Sequence, residues 1–349
     1  MADRVSVRDV ASSDLEVCAR LLAARHQRDR QRTSLLPDAF EDEARCLELL
    51  GTLLAEPLAN GAVAEVHGEV VAFAFGQRAL HAADHWLAQY FPPRSIGIPF
   101  HGHAASDSIE TATAYRALYG YLSDDWVAGG FFNHRVDFLA GDDEQRELWF
   151  RLGFGAITTY AGRDVSPIES GALAAGIEIR RATPEDHAEV DRLESVNGRF
   201  HNAGPVFWPY LWDDVRESAS GLSKYALERD RHGIFLATRT SAAGRPETLG
   251  MQMLFSGMAF GSAVATPERA AYLFHGIVDP DLRGGGVGSA LLEHSLDWAR
   301  DSGHEYVTLH YASMNPLGGP FWESRGFDAI TYSAERRIDE RVAWARPQD

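Results

Sequence analysis

The chain has 349 residues, 45% of them hydrophobic and 24% charged, with a formal net charge of −17. That composition gives a globular protein long enough for about two domains, and its acidity excludes nucleic acid as the main partner, because a polyanion needs a dominant basic face. Cys18 and Cys46 are the only cysteines, so no disulfide framework is available, and with neither a signal peptide nor a long apolar run the expected setting is a reducing cytoplasm with no membrane partner.

From Val5, "VSVRDVASSDLEVCARLL" reads as a short strand and then a helix entered through Ser and Asp start signals. The acidic run "EDEARCLE" that follows is a solvated helix face. Alternation predicts strands over Gly61–Val66 and Val70–Gly76, helical spacing a helix over Glu110–Tyr121, and alternation again a strand over His134–Leu139. His81 and His85 are four apart and His101 and His103 two apart, but no cysteine or clear carboxylate completes a ligand set, so no metal is expected. The segment "GRDVSPIESGALAAG" lacks a core pattern and reads as a connection.

Beyond it the opening returns. "IEIRRATPEDHAEVDRLE" from Ile177 repeats the pattern at Val5, 172 residues on, and "PFWESRGFDAITYS" repeats "ELWFRLGFGAITTY", with Gly153 and Gly326 173 apart. One fold therefore occurs twice, over 1–163 and 177–349, with 164–176 as linker. The second copy reads as strand Ile177–Arg180, helix Pro184–Ser195, and the aromatic-rich "FHNAGPVFWPYLW" from Phe200 to Trp212. Strands Gly233–Arg239, Glu247–Phe255 and Ala271–Val278 come next, then helix Val287–Asp301, strand Tyr306–Tyr311, a short helix around Pro320–Ser324 and strand Phe327–Ala334. The class is α/β, with a mixed, mostly antiparallel sheet flanked by helices in each half.

The chemistry concentrates in "IVDPDLRGGGVGSALLEHSLDWARDSG", which sets four glycines into five residues between a buried strand and an amphipathic helix. Glycine lets a ligand approach the backbone closely, and the free N–H groups and dipole of a helix N-terminus favour an anion. Arg283 adds a fixed positive charge. A Walker loop would need a lysine that is absent here, and a dinucleotide fold would need a third glycine.

"VDPDLRGGGVGSALL" resembles the acyl-CoA loop of GNAT superfamily N-acetyltransferases, with Arg283, Gly286 and Gly288 in register, and "NPLGGPFWESRGF" resembles the second motif of that family. The resemblance covers Ile177 to about Ile338 well and the first half through its strand order and the Trp149-to-Phe154 ending. It implies two GNAT-like domains in tandem, the first degenerate; a tandem with one degenerate copy also resembles mycothiol synthases. It further implies that Arg283, Gly284, Gly285, Gly286, Val287, Gly288 and Ser289 surround the CoA pyrophosphate. Ile277 and Val278 would pair with the pantetheine arm, with Asn315 opposite. The implied reaction is acylation of an amine in a ternary complex, with acetyl-CoA as acyl donor.

An amine needs a base near neutral pH, and His275, two residues before Ile277, is the first candidate, beside a reading in which it is simply packed on its strand. His310 and Tyr311 are alternatives, and Tyr311 is also the candidate acid. Trp322 occupies the position where the family often has an acidic tyrosine, and reads better as packing. In the first half no Arg-x-x-Gly-x-Gly occurs, and Asp142 stands where Asn315 stands; acidic groups there oppose a polyphosphate. That half is expected not to bind CoA productively and to act as a structural or acceptor-shaping partner. In the family the Phe200–Trp212 region lines the acceptor pocket, and its aromatics suit an apolar or aromatic amine, beside an equal reading in which they are core packing. The expectation is an acyl-CoA-dependent N-acyltransferase acting on a small-molecule amine, with a peptide N-terminus as second acceptor class. A non-catalytic CoA-binding sensor or scaffold is the alternative, and a homodimer is allowed.

Overall fold

The computed structural model describes residues 5–171, 173–210, 221–241, 243–258 and 260–345. The first half runs β1 (Ser6–Asp9), α1 (Leu15–Arg30), α2 (Glu43–Ala55), β2 (Ala59–Val66), β3 (Glu69–Leu80), β4 (Arg94–Ile98), β5 (His103–Ala105), α3 (Thr111–Ala128), β6 (Asn133–Leu139), α4 (Asp143–Arg151) and β7 (Gly155–Asp164). The second runs β8 (Ile177–Arg181), α5 (His187–Asn202), α6 (described over 221–227), β9 (Gly233–Thr240), β10 (Pro246–Ser256), β11 (Ala270–Val278), α7 (Val287–Asp301), β12 (Tyr306–Ala312), α8 (Gly318–Ser324) and β13 (Asp328–Arg337), with a last turn α9 (Val342–Ala345).

The repeat is visible in local chemistry. Arg8 grips both carboxylate oxygens of Asp14 at 2.7 and 2.9 Å, and Arg180 grips those of Asp186 at 2.7 Å. In each case the aspartate also accepts a backbone N–H at the helix entry, from Ala11 or Thr183. One Arg–Asp fork thus ties the first strand to the first helix in both halves, because an acidic side chain there satisfies N–H groups that the helix leaves unpaired.

The strands join in one sheet in the order β1-β2-β3-β4-β6-β13-β7-β12-β11-β10-β9-β8, with β5 paired to β3 off this path. The pairs are antiparallel except β4 with β6 and β11 with β12. At the centre the two halves exchange their last strands: β13 lies between β6 and β7, and β7 between β13 and β12. The exchange is symmetric in register. Thr331 faces Leu139 across β13–β6, and their repeat mates, Thr158 and Ala312, face each other across β7–β12. Among the described residues of 165–176 there is no strand or helix, and Asp164, expected in the linker, ends β7 opposite Tyr306, so the hydrogen-bond ladder crosses between the halves.

Helices cover both faces. In the second half α7 buries Leu291, Leu292 and Leu296 on one side of the sheet, and α5 buries Val190 and Leu193 on the other. A further cluster joins Leu35, Phe100 and Leu139 of the first half to Val264, Ala265 and Tyr272 of the second. Two predicted helices ended too early: α5 continues to Asn202 and α3 to Ala128, because tertiary packing of Phe200 and Trp126 rewards turns whose sequence alone is weakly helical. Cys18 and Cys46 are buried and unpaired. Among the described residues no helix is long and apolar enough to cross a membrane, and no group of three or more His, Cys, Asp or Glu could hold a metal ion.

Candidate active site

The site begins as a fault between two strands. β11 pairs in parallel with β12 only from Ala270 to Leu273, opposite Tyr306 to Leu309. Phe274 is an extra residue in the β10–β11 ladder, where Met253 faces His275 and Leu254 faces Leu273. A bulge bends its strand, and beyond it β11 keeps its bonds to β10 alone while β12 stays paired with β7 along its whole length. Phe274–Val278 thus present an unpaired backbone edge to a wedge in the sheet. Gly276 lets the wedge stay narrow, since a Cβ there would lie 2.9 Å from the Trp322 ring.

At the mouth of the wedge stands the glycine loop. Gly284 and Gly286 both have φ of +82°, a left-handed conformation that suits glycine. Gly286 is the N-cap of α7 and no side chain caps it, so the first N–H groups of the helix face outward with the positive end of its dipole. Arg283 donates through Nε to the Val278 carbonyl at 3.3 Å and lies 4.7 Å from the Phe200 ring centre. Asn315 Oδ1 accepts from Leu317 and Gly318 N–H at 3.0 Å each, capping α8. Its repeat mate Asp142 caps α4 in the same way, accepting from Gln145 N–H at 3.0 Å, and pairs with Arg32 at 3.2 Å.

Loop and wedge open into one cavity of about 600 Å³. His275, Ile277, Val278, Arg283, Gly284, Gly286, Val287, Gly288, Ser289, Tyr311 and Asn315 all line it; Gly285 does not. Trp322 lines it too, as a member of the apolar cluster under α7. From the aromatic segment Phe200, His201, Trp208 and Tyr210 reach the cavity, whereas Phe207 is exposed on the outside. Leu211 and Trp212 lie outside the described residues. His81 and His85 stand with rings 5.7 Å apart on the first half, away from this cavity.

His275 sits at the inner end, 8% exposed, with Nε2 3.3 Å from Oε1 of Glu194 on α5. Glu194 is 2% exposed and accepts a 2.6 Å hydrogen bond from the Ser223 hydroxyl on α6. Tyr311 donates to Glu323 Oε1 at 3.2 Å, and burial, with the Glu323 charge adding, pushes its hydroxyl up to about 12. Tyr311 is thus protonated at neutral pH, able to give a proton and unfit to take one. His310 is bonded to the Tyr272 hydroxyl at 2.9 Å and stacked on Tyr160, and burial holds it down to about 3.

Three residues at the site had no place in the sequence reading. Glu194 left a trace: Val190, Leu193, Glu194, Asn197, Gly198 and His201 follow helical spacing on one face, so Glu194 is an acid on an apolar stripe. Arg325 lines the cavity, donates to Ser289 Oγ at 2.7 Å, and stands directly before the Gly326–Phe327 pair. Tyr90 enters from the first half, where the Gln89 carbonyl also accepts a 2.6 Å bond from Trp208 Nε1.

The model of the Acetyltransferase (GNAT) family matches residues 205–327. The ribosomal protein bS18-alanine N-acetyltransferase of Escherichia coli (strain K12) is 31% identical over 109 residues, which cover 31% of this chain and 74% of that enzyme. The chain belongs to the GNAT acetyltransferase family. A GCN5-related N-acetyltransferase from Sphaerobacter thermophilus, 16% identical, matches 97% of each chain with a TM-score of 0.57. A GCN5-related glucosamine N-acetyltransferase region in a fungal multi-domain GH3 beta-N-acetylglucosaminidase, 13% identical, matches 96% of this chain and 38% of that one with a TM-score of 0.54. At those identities the likeness is one of fold, and it extends the GNAT architecture over both halves. GNAT enzymes use acetyl-CoA as donor, and an uncapped helix N-terminus with two left-handed glycines and two arginines is a donor set for a polyphosphate.

Proposed function

We propose that the chain is an acetyl-CoA-dependent N-acyltransferase that acylates a small-molecule amine, with donor and acceptor held together in the cavity of the second half. The observation that carries this reading is the continuity of one cavity, from the glycine loop at its mouth to His275 above a buried carboxylate at its inner end.

In this reading the N–H groups of Gly286–Ser289, with Arg283 and Arg325, hold the pyrophosphate end of acetyl-CoA. The unpaired edge of β11 at Ile277 and Val278 orients the arm that carries the thioester, and the same edge supplies N–H groups toward the carbonyl oxygen, where negative charge grows. His275 takes a proton from the acceptor amine, and Tyr311, protonated at neutral pH, is the donor on the other strand of the wedge. Phe200, Trp208, Tyr210 and Tyr90 form an aromatic wall, with Arg283 against the Phe200 ring and the Glu194 charge acting on Tyr90 and Tyr210, which suits an apolar or aromatic amine.

An α-amino group on a peptide, as the name of the Escherichia coli relative states for that enzyme, is the second acceptor class. Thiol release from acetyl-CoA, screened over arylalkylamines and over peptides with free N-termini, tests the reading. Release that depends on an amine supports it, and binding of acetyl-CoA without release under any amine would leave a non-catalytic CoA-binding protein.

A further inference from the structure

Glu194 poses a problem of charge. It is buried, its Oε1 accepts from Ser223, and among the described residues its Oε2 has no hydrogen-bond partner. Among the described residues no lysine or arginine pairs with it; its one ion-pair partner is His275. A buried carboxylate with an unmet oxygen is costly unless a positive charge forms beside it. The other titratable groups nearby do not provide one. His201, on the same face of α5, is bonded through Nδ1 to the Asn197 carbonyl and is held below its ordinary range by burial. Tyr90 and Tyr210 are both pushed upward by burial with the Glu194 charge adding, so they stay neutral.

Among the described residues, His275 is the remaining group beside Glu194 that can carry a positive charge. Its Nε2 faces Glu194, and its Nδ1 makes no hydrogen bond among the described residues while the residue lines the cavity. We infer that Glu194 is a positioning residue for proton transfer: it holds the proton of neutral His275 on Nε2, leaves Nδ1 as the basic nitrogen toward the acceptor, and balances the imidazolium once it forms. This rests on the acyl-transfer reading above. In the step it serves, the acceptor ammonium gives one proton to Nδ1 and the freed lone pair forms the C–N bond to the thioester carbonyl carbon. The C–S bond then breaks with its electron pair on sulfur, the departing thiolate takes the Tyr311 hydroxyl proton, the second nitrogen proton restores Tyr311, and His275 returns its proton to solvent. Ser223 fixes the carboxylate from the far side, as the third member of a chain in which each group orients the next.

The first test needs no substrate. Long-range proton–nitrogen NMR of the imidazoles in the unliganded, intact chain, with His275 assigned by its absence in His275→Ala, should show His275 as the Nε2–H tautomer, and Glu194→Gln should remove that preference. The second uses acetyl-CoA with 2-phenylethylamine as probe. Glu194→Gln should leave acetyl-CoA affinity by calorimetry within about twofold, lower kcat by about 10²- to 10⁴-fold, as loss of a group that orients a base does, and displace the acid limb of the kcat/KM profile to lower pH. Glu194→Asp should recover part of both. An Nδ1–H tautomer in the unliganded chain, or a pH profile unmoved in Glu194→Gln, would overturn the inference even with turnover intact. Failure of the wild-type chain to bind acetyl-CoA would instead overturn the functional reading, and the NMR result would still decide the pair.

Discussion

Tyr115 and Gly288 occupy equivalent places in the two halves. α3 and α7 end at Ala128 and Asp301, and each is followed at the same distance by a left-handed glycine, Gly130 or Gly303, so the 173-residue repeat holds through both helices. Gly288 lies in the first turn of α7 and leaves room at the cavity. Tyr115, 2% exposed, fills the corresponding space with a phenol bonded to His103 at 2.9 Å. The residues that match the glycine loop, Thr111–Thr113, are already helix. In the first half a side chain of its own therefore fills the space that the glycine at the same repeat position leaves open in the second.

Titration calorimetry of acetyl-CoA into the intact chain is accordingly expected to give one site per chain. Gly288→Tyr, which copies the first half, should abolish that site. Gly286→Glu should abolish it too, by adding a negative charge where the helix dipole favours an anion, at a strain cost of about 1–2 kcal/mol for a side chain at positive φ. A stoichiometry of two would show that Tyr115 moves aside.

Arg325 should matter to the donor and not to the acceptor. Arg325→Ala is expected to raise the Kd of acetyl-CoA by about tenfold, the size of a lost charge-assisted hydrogen bond, and to flatten the dependence of binding on salt. An unchanged Kd would restrict Arg325 to holding Ser289.

Gly198 seats Tyr210 in the cavity wall. A Cβ there would lie 2.4 Å from the Tyr210 ring, and Asn202 clamps the same residue by accepting from its N–H at 2.8 Å. Gly198→Ala should therefore raise the acceptor KM several-fold while the Kd of acetyl-CoA stays put. Tyr90→Ala should do the same from the first half. Equal loss of donor affinity would mean that the wall supports the whole cavity.

Tyr311 keeps its proton well past neutrality because burial raises it to about 12. Tyr311→Phe is expected to lower kcat by about 100-fold, the lower end of a general-acid contribution, with donor affinity unchanged. Wild-type activity should lose nothing through this group between about pH 7 and pH 9. A fall in wild-type kcat over that range that Tyr311→Phe removes would contradict it.

The first half carries a built-in sensitivity to acid. His103 and His134 are buried, and burial holds them down to about 3 and about 4, from an ordinary 6.5. Both are neutral when folded and take a proton when the chain opens. Their contribution to stability is whole above pH 6.5 and drains as pH falls toward their folded values, at up to about 1.4 kcal/mol per pH unit for each. The thermal midpoint should fall between about pH 7 and pH 5, and His134→Gln should lessen the slope; a flat midpoint would exclude the effect.

The parts of this molecule that are written locally could be read from its residues. The glycine loop is one: positive φ and an uncapped helix start are demands on the residues that carry them, so Gly284, Gly286 and Gly288 announce themselves. Glu194 could be noticed as a charge on an apolar stripe, yet its meaning depends on His275, which comes from a strand 81 positions later. Tyr90 gave no signal, because its role comes from a contact between halves. The strand exchange was illegible for a similar reason. The residues of β7 and β13 alternate in the same way whichever partner they pair with, so their pattern fixes the strand and leaves the neighbour open.

The exchange also changes what counts as a transferable piece. The sheet around the working cavity consists of β8 to β12 and β7, so a graft that moves this machinery into another scaffold must carry Gly155–Asp164 with it and can leave Asp328–Arg337 behind. By the same wiring, a duplicated gene could let its first copy forget its chemistry but could not discard that copy, since the surviving half borrows a strand from it.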